Sequence, residues 1–142
     1  MALTQSITDD PKSRPIRVLV IDDEAPFRET LCKVLGRRGM DVIAAATGQE
    51  GLEKLAAQPV DVVVLDLRMP GIDGLTTLRM INDLDPRAQV IILTGHGTTE
   101  AGLEALRNRA FDFLLKPVAT DHLLEVIESA ALTARERQDD QA

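Results

Sequence analysis

Short apolar runs alternate with amphipathic stretches along most of the chain. Ile16-Arg17-Val18-Leu19-Val20-Ile21 is rich in β-branched residues and breaks off at Asp22-Asp23-Glu24. Near-continuous apolar runs of this kind fit strands buried on both faces, as in parallel sheets. Behind the run, Pro26 suits the first turn of a helix. Phe27, Leu31, Val34 and Leu35 follow at helical spacing, and Gly36 to Gly39 close the element.

The same unit recurs. Val42 to Ala46 predicts a second strand, and Thr47 caps a helix carrying Glu50, Leu52 and Leu55. Val60 to Leu65 is the most apolar strand, followed by the loop Arg68-Met69-Pro70-Gly71 and a helix from Gly74 to about Leu84. Val90 to Leu93 leads through Thr94-Gly95-His96-Gly97 into a helix around Thr98 to Asn108. Phe111 to Leu115 is a fifth strand, and Thr120 or Asp121 caps a last helix with Leu123, Leu124, Ile127 and Leu132. This alternation predicts an α/β fold: a doubly wound five-stranded parallel sheet, strand order 2-1-3-4-5, with five helices on its two faces. The expected limits are a loose arm over residues 1–15, one folded domain over 16–134 and a polar, fraying tail over 135–142.

Composition narrows the function. A length of 142 residues suits one domain with a proper core, and 44% apolar with 27% charged residues is ordinary for a globular chain. The formal net charge of −7 speaks against a nonspecific grip on nucleic acid. With no Trp, no Tyr and three Phe, stacking platforms for single strands are missing too. The single cysteine, Cys32, excludes an internal disulfide and reads as a small core residue. No apolar run is long enough to span a membrane and no signal peptide is visible, so a cytoplasmic protein is expected.

In open parallel sheets, sites form beyond the carboxyl ends of the strands. The polar residues predicted there are Asp22, Asp23 and Glu24 after the first strand, Asp66 after the third, Thr94 after the fourth and Lys116 after the fifth. The first and third strands would be neighbours, so their carboxylates would converge, with Thr94 and Lys116 on the far side of Asp66. Converging carboxylates repel and need a counter-charge. Mg²⁺ (or Mn²⁺), which takes carboxylates, water and phosphate oxygens, fits Asp23 and Asp66, with Asp22 reaching a water. Asp66 then has the features of an aspartyl-phosphate nucleophile, with Lys116 and Thr94 as partners for phosphoryl oxygens. Taken singly, each residue has a plainer role. A strand-end Asp caps a turn, Asp-Asp-Glu caps a helix, Thr94 bonds backbone and Lys116 is solvated. The plain roles do not explain why such groups stand at four strand ends.

Four segments, Val18 to Glu24, Val64 to Gly74, Ile92 to Gly97 and Phe111 to Pro117, resemble the hallmark segments of bacterial response-regulator receiver domains, in the same order. The resemblance covers about Arg17 to Ala130. It implies that a sensor histidine kinase or phosphotransfer protein donates a phosphoryl group to Asp66, which later hydrolyses. It implies Mg²⁺ held by Asp22, Asp23, Asp66 and the backbone carbonyl of Arg68, with phosphate bound by Lys116. A cis bond is implied before Pro117. Thr94 and the ring of Phe113 would then form a switch. The change would be read by a downstream protein or output domain on the face of the fourth helix, fifth strand and fifth helix, where a homodimer could also form.

Some positions depart from that pattern. Phe113 lacks a hydroxyl, so packing alone must hold an inward state. Arg109 stands where receivers usually carry Gly, and Asn108 could take the left-handed position instead. Arg68 and His96, each two residues past a site residue, are placed to tune phosphoryl lifetime. The protein is expected to act as a switch rather than a turnover enzyme, and to touch neither nucleic acid nor membrane. It would be a stand-alone receiver or one cut from a longer regulator. Two rivals are a receiver-like docking module that is never phosphorylated and a small phosphohydrolase. The second lacks the Asp-x-Asp pattern after the first strand, and the cap insertion, of the enzymes it would resemble.

Overall fold

A computed structural model describes residues 14–69 and 71–141; the expected N-terminal arm lies outside these except for its last two residues, and so does Pro70. The elements run β1 (Arg17–Ile21), α1 (Ala25–Arg37), β2 (Asp41–Ala45), α2 (Gly48–Ala57), β3 (Val62–Leu65), α3 (Gly74–Leu84), β4 (Gln89–Thr94), α4 (Thr99–Arg107), β5 (Asp112–Leu115) and α5 (Thr120–Gln141). The five strands form one sheet in the order β2-β1-β3-β4-β5, all pairs parallel.

The two-residue period of the strands separates two cores. Leu19, Ile21, Val63, Leu65, Val90 and Ile92 face α2, α3 and α4, meeting Leu52, Leu55, Leu78, Ile81 and Ala105. Val18, Val20, Val62, Val64, Ile91 and Leu93 face α1 and α5, meeting Leu31, Leu35, Leu123, Leu124 and Ile127. Both faces of β1, β3 and β4 are therefore dry, which is why these strands read as unbroken apolar runs. Ile21 pairs with Leu65, and Leu65 with Ile92. The residues following β1 and β3 thus emerge side by side.

Local chemistry sets the helix starts. Thr47, Asp73 and Thr98 each accept a backbone N–H three residues on, from Glu50, Thr76 and Ala101. Glu24 precedes α1 without a side-chain cap, because its carboxylate is turned toward Lys116. Two expectations are corrected at α5. Thr120 is its first residue rather than its cap, and the carbonyl of Ala119 accepts from Leu123 N. Nor does the helix end near Ala134: it continues to Gln141, where a separate polar tail was expected. Arg135 fixes the added turns by donating to the carbonyls of Arg14 and Pro15 and pairing with Asp61.

The end of α4 decides between Arg109 and Asn108 for the left-handed position. Asn108 keeps φ −91°, and Arg109 itself adopts the left-handed conformation at φ 67°. Asn108 cannot rotate away because its groups are already bonded. Its side chain accepts from Arg79 Nε at 3.0 Å, and its carbonyl accepts from Asn82 Nδ2 at 2.7 Å. Tertiary bonds therefore hold a non-glycine residue in a conformation that costs of order 1 kcal/mol. Among the described residues no helix is long and apolar enough to cross a membrane.

Candidate functional site

The level ends of β1 and β3 bring Asp22 and Asp66 together, each 3% exposed, with Asp23 beside them at the surface. One carboxylate oxygen from each of the three lies within 4.8 Å of the others. Backbone donors fix their orientation. Asp22 Oδ1 accepts from Glu24 N at 2.9 Å, and Asp66 Oδ1 accepts from Arg68 N at 3.1 Å. The backbone here has no slack. A Cβ on Gly74, at the start of α3, would stand 2.3 Å from Leu67 Cα and 2.9 Å from Asp66 O.

Lys116 supplies the counter-charge from the end of β5. Its Nζ donates to Asp22 Oδ2 at 2.7 Å, Glu24 Oε1 at 3.1 Å and Asp66 Oδ2 at 3.4 Å. The spacing of strand ends suggested a lysine on the far side of Asp66; instead it reaches across to Asp22, its shortest partner. Burial pushes the Asp22 carboxyl above its ordinary value, even though Lys116 and the Glu24 N–H pull it down. Burial acts on Lys116 in the opposite sense, and its bonds to Asp22 and Glu24 outweigh it, so the ammonium is held more firmly protonated than usual. The peptide between Lys116 and Pro117 is cis.

Thr94, fully buried at the end of β4, accepts from His96 N at 3.2 Å through its hydroxyl oxygen, whose own proton stays free to donate. Phe113 is not part of the carboxylate cluster. Its ring lies against Gly97 and Gly102, where added Cβ atoms would meet it at 2.8 and 3.4 Å. Arg68 and His96 meet at the mouth of the site, the guanidinium donating to His96 Nδ1 at 3.3 Å. With Asp23, Glu24, Asp66 and Met69 they line an open depression of about 340 Å³.

Glu24, expected among the polar residues beyond β1 but without a role of its own, is a partner of Lys116. Two further residues at the site were not singled out from sequence. Arg28 donates to the carbonyl of Asp22 at 2.7 Å. Phe27 places its ring centroid 4.0 Å from Lys116 Nζ. Both residues stand in the first turn of α1, just past the carboxylates, and that proximity was the available signal.

The donor set fits a hard divalent cation. Asp22, Glu24 and Asp66 share the one ammonium of Lys116, and Asp23 joins Asp22 and Asp66 on the open side, so the cluster keeps an excess of negative oxygen ligands. Such a pocket, with one oriented carboxylate beside an ammonium and a buried hydroxyl, suits oxygen-rich anions that arrive with a cation.

Comparison with known proteins agrees. The family model described as response regulator receiver domain matches residues 18–128. The C4-dicarboxylate transport transcriptional regulatory protein DctD of Rhizobium meliloti (strain 1021) is 38% identical over 76% of this chain, which spans 24% of that protein. The chain thus covers about a quarter of that longer relative. A CheY-like receiver domain protein from Methanospirillum hungatei JF-1 superposes with TM-score 0.83 at 27% identity, over 87% of this chain and 98% of that one. A response regulator from Burkholderia pseudomallei, solved with a phosphorylated aspartic acid, calcium ion and citrate, gives TM-score 0.76 at 30% identity over 89% and 73%. Fold, acidic site and similarity converge, and the chain belongs to the response regulator receiver domain family.

Proposed function

We propose that Asp66 is the phosphoacceptor of this receiver and that the chain works as a phosphorylation-dependent switch. The observation that carries the reading is the carboxylate of Asp66: one oxygen is held by Arg68 N and the other faces Lys116. The donor would be a phosphohistidine on a sensor histidine kinase or phosphotransfer protein. Asp66 forms an oxygen–phosphorus bond as the phosphorus–nitrogen bond breaks, and the electron pair stays on the imidazole. Asp22, Asp23, Asp66 and the backbone carbonyl of Arg68 would hold Mg²⁺ or Mn²⁺, which when bound offsets carboxylate charge and screens the phosphoryl oxygens. Lys116 binds one phosphoryl oxygen, and the Thr94 hydroxyl donates to another. Hydrolysis returns the carboxylate when water attacks phosphorus, and Arg68 and His96 at the mouth govern that water's approach.

Once Thr94 turns to the phosphoryl group, Phe113 gains room beside it. The ring's movement changes the surface of α4, β5 and α5, a small charge event biasing a two-state element. Leu103, Leu106 and Leu115 are about half exposed on α4 and β5, which suits a partner or a second copy there. The output is a domain joined to this one or a separate protein, the longer transcription-regulating relative favouring the first. In this reading residues 16–134 form the receiver, the protein is cytoplasmic and it turns over only its own aspartyl phosphate.

The test is incubation with acetyl phosphate and Mg²⁺, read by intact-protein mass, for wild type and Asp66→Asn. One added phosphoryl group that requires Mg²⁺ and is missing in the variant is expected. An adduct that persists in the variant would move the chemistry to another residue. No adduct together with no Mg²⁺ binding would leave a docking module.

A further inference from the structure

The lysine at the site has a partner of a different kind from its carboxylates. Lys116 Nζ lies 4.0 Å from the centroid of the Phe27 ring, and an ammonium over an aromatic face at that range is attracted by the ring's quadrupole. We propose that Phe27 is a positioning residue for Lys116, holding the ammonium where the phosphoryl group of Asp66 needs it. The inference rests on Asp66 being the phosphoacceptor.

The argument turns on which of the lysine's contacts survive when the site is used. Asp22 and Asp66 are the carboxylates that would turn to a cation, and Asp66 would itself become an acyl phosphate. Both attractions on Lys116 therefore weaken as it is needed. Glu24 is 61% exposed on its side chain, and an exposed ion pair is a weak tether. The ring is neutral and takes no part in the charge exchange, so its hold persists through the cycle.

The placement of the ring supports this. The chain has three Phe and neither Trp nor Tyr, and its cores are otherwise built from Leu, Val, Ile and Ala. A leucine could serve as apolar filling at position 27, whereas an aromatic face offers something to an ammonium. Leu31, Val118, Leu123 and Leu124 line, with Phe27, the groove between α1 and the start of α5. That apolar backing steadies the ring. The first turn of α1 is tied to the site as well, since Arg28 bonds the Asp22 carbonyl and Asp22 Oδ1 takes the Glu24 N–H.

The experiment measures the rate of phosphorylation by acetyl phosphate with Mg²⁺, by intact mass, in Phe27→Leu and Phe27→Tyr. Both are also made in a Lys116→Ala background. The Leu variant is expected to be about three- to tenfold slower, the range of a partly desolvated cation–π contact. Tyr, which keeps the ring face, should restore the rate. The defect of Phe27→Leu should vanish without Lys116, as coupling between two touching residues requires. Trifluorophenylalanine at 27, with the same shape and a depleted ring face, should also slow the reaction. The ε-methylene protons of Lys116 should be ring-shifted upfield in wild type and the Tyr variant, and return to ordinary values in Leu. Equal slowing by Leu and Tyr, or a Leu defect that persists in Lys116→Ala, would overturn the proposal. So would a Leu variant that takes up the phosphoryl group as fast as wild type does, with the Asp66 reading left standing. A wild type that takes up no phosphoryl group would overturn both.

Discussion

At the ends of β1 and β3, charged groups are buried and hold one another in place; beside α4 and β5, apolar groups are half exposed and hold one another loosely. Asp22 and Asp66 are 3% exposed, and each of their carboxylate oxygens is bonded to a backbone N–H or to Lys116. Across the sheet Leu103, Leu106 and Leu115 are 50%, 47% and 53% exposed, and the ring of Phe113 rests on two glycines. Thr94 stands between the two regions and belongs to both. The contrast suits a switch: the chemistry needs fixed geometry, whereas the response needs an element with more than one packing.

Removing the tie that holds the first region together should have the largest effect. Lys116→Met leaves Asp22 and Asp66 buried without their counter-charge, and the protein in EDTA should lose about 3 kcal/mol, the lower end for an orphaned buried ion. Urea unfolding checks this, and added Mg²⁺ should recover much of the loss by replacing the missing positive charge. A loss below about 0.5 kcal/mol, the scale of a surface ion pair, would mean the cluster is more solvated than its burial indicates.

Two glycine substitutions set the regions against each other directly. A Cβ at Gly74 would meet backbone, Leu67 Cα at 2.3 Å, whereas a Cβ at Gly97 would meet side-chain ends, Leu115 Cδ2 at 2.4 Å and Phe113 Cζ at 2.8 Å. Backbone cannot yield without moving Asp66, so Gly74→Ala should cost about 3 kcal/mol and weaken Mg²⁺ binding. Leu115 can swing into solvent, so Gly97→Ala should cost about 1 kcal/mol and leave Mg²⁺ binding unchanged. Calorimetric melting and Mg²⁺ titration of both variants decide the matter. Equal losses would erase the distinction between a rigid and a yielding region.

What could be read from sequence divides along similar lines. The unbroken apolar runs of the strands and the polar residues at their ends are local signals, and they revealed the sheet and brought Asp22, Asp23, Asp66 and Lys116 to one place. Phe27 was hidden because helical spacing already accounts for it as core. Which of Arg109 and Asn108 turns left-handed was open because the bonds that forbid Asn108 that conformation come from Arg79 and Asn82 on α3. The length of α5 depends on Arg135 reaching Asp61 and the carbonyls of Arg14 and Pro15, contacts far apart in the chain. Local patterns announce elements, and only the assembled fold announces which long-range bonds override local preference.

The smallest expected effect separates a strained site from its scaffold by the sign of a pH dependence. Asp73 caps α3, and the Thr76 N–H holds its carboxyl below the ordinary value of 3.8. A carboxylate with a depressed folded pKa stabilises above the unfolded value, and the benefit is lost as pH falls through the folded pKa. Asp73→Ala should therefore lose about 1 kcal/mol at pH 7, a deficit that shrinks below about pH 4 as wild type gives up its charged cap. Asp22 runs the other way, because burial raises its carboxyl above that same ordinary value. In its charged form it opposes folding of the metal-free protein, and the opposition fades as pH falls through its raised folded pKa toward the unfolded value. Asp22→Asn, which mimics the protonated group, should be slightly more stable than wild type at pH 7 in EDTA, with the gain closing as acid is added. Chemical denaturation of the two variants between pH 7 and pH 3 tests the pair. If both lose stability at neutral pH, the carboxylate of Asp22 is held by its bonds to Lys116 and Glu24 more strongly than burial opposes it, and the site is built for stability as much as for chemistry.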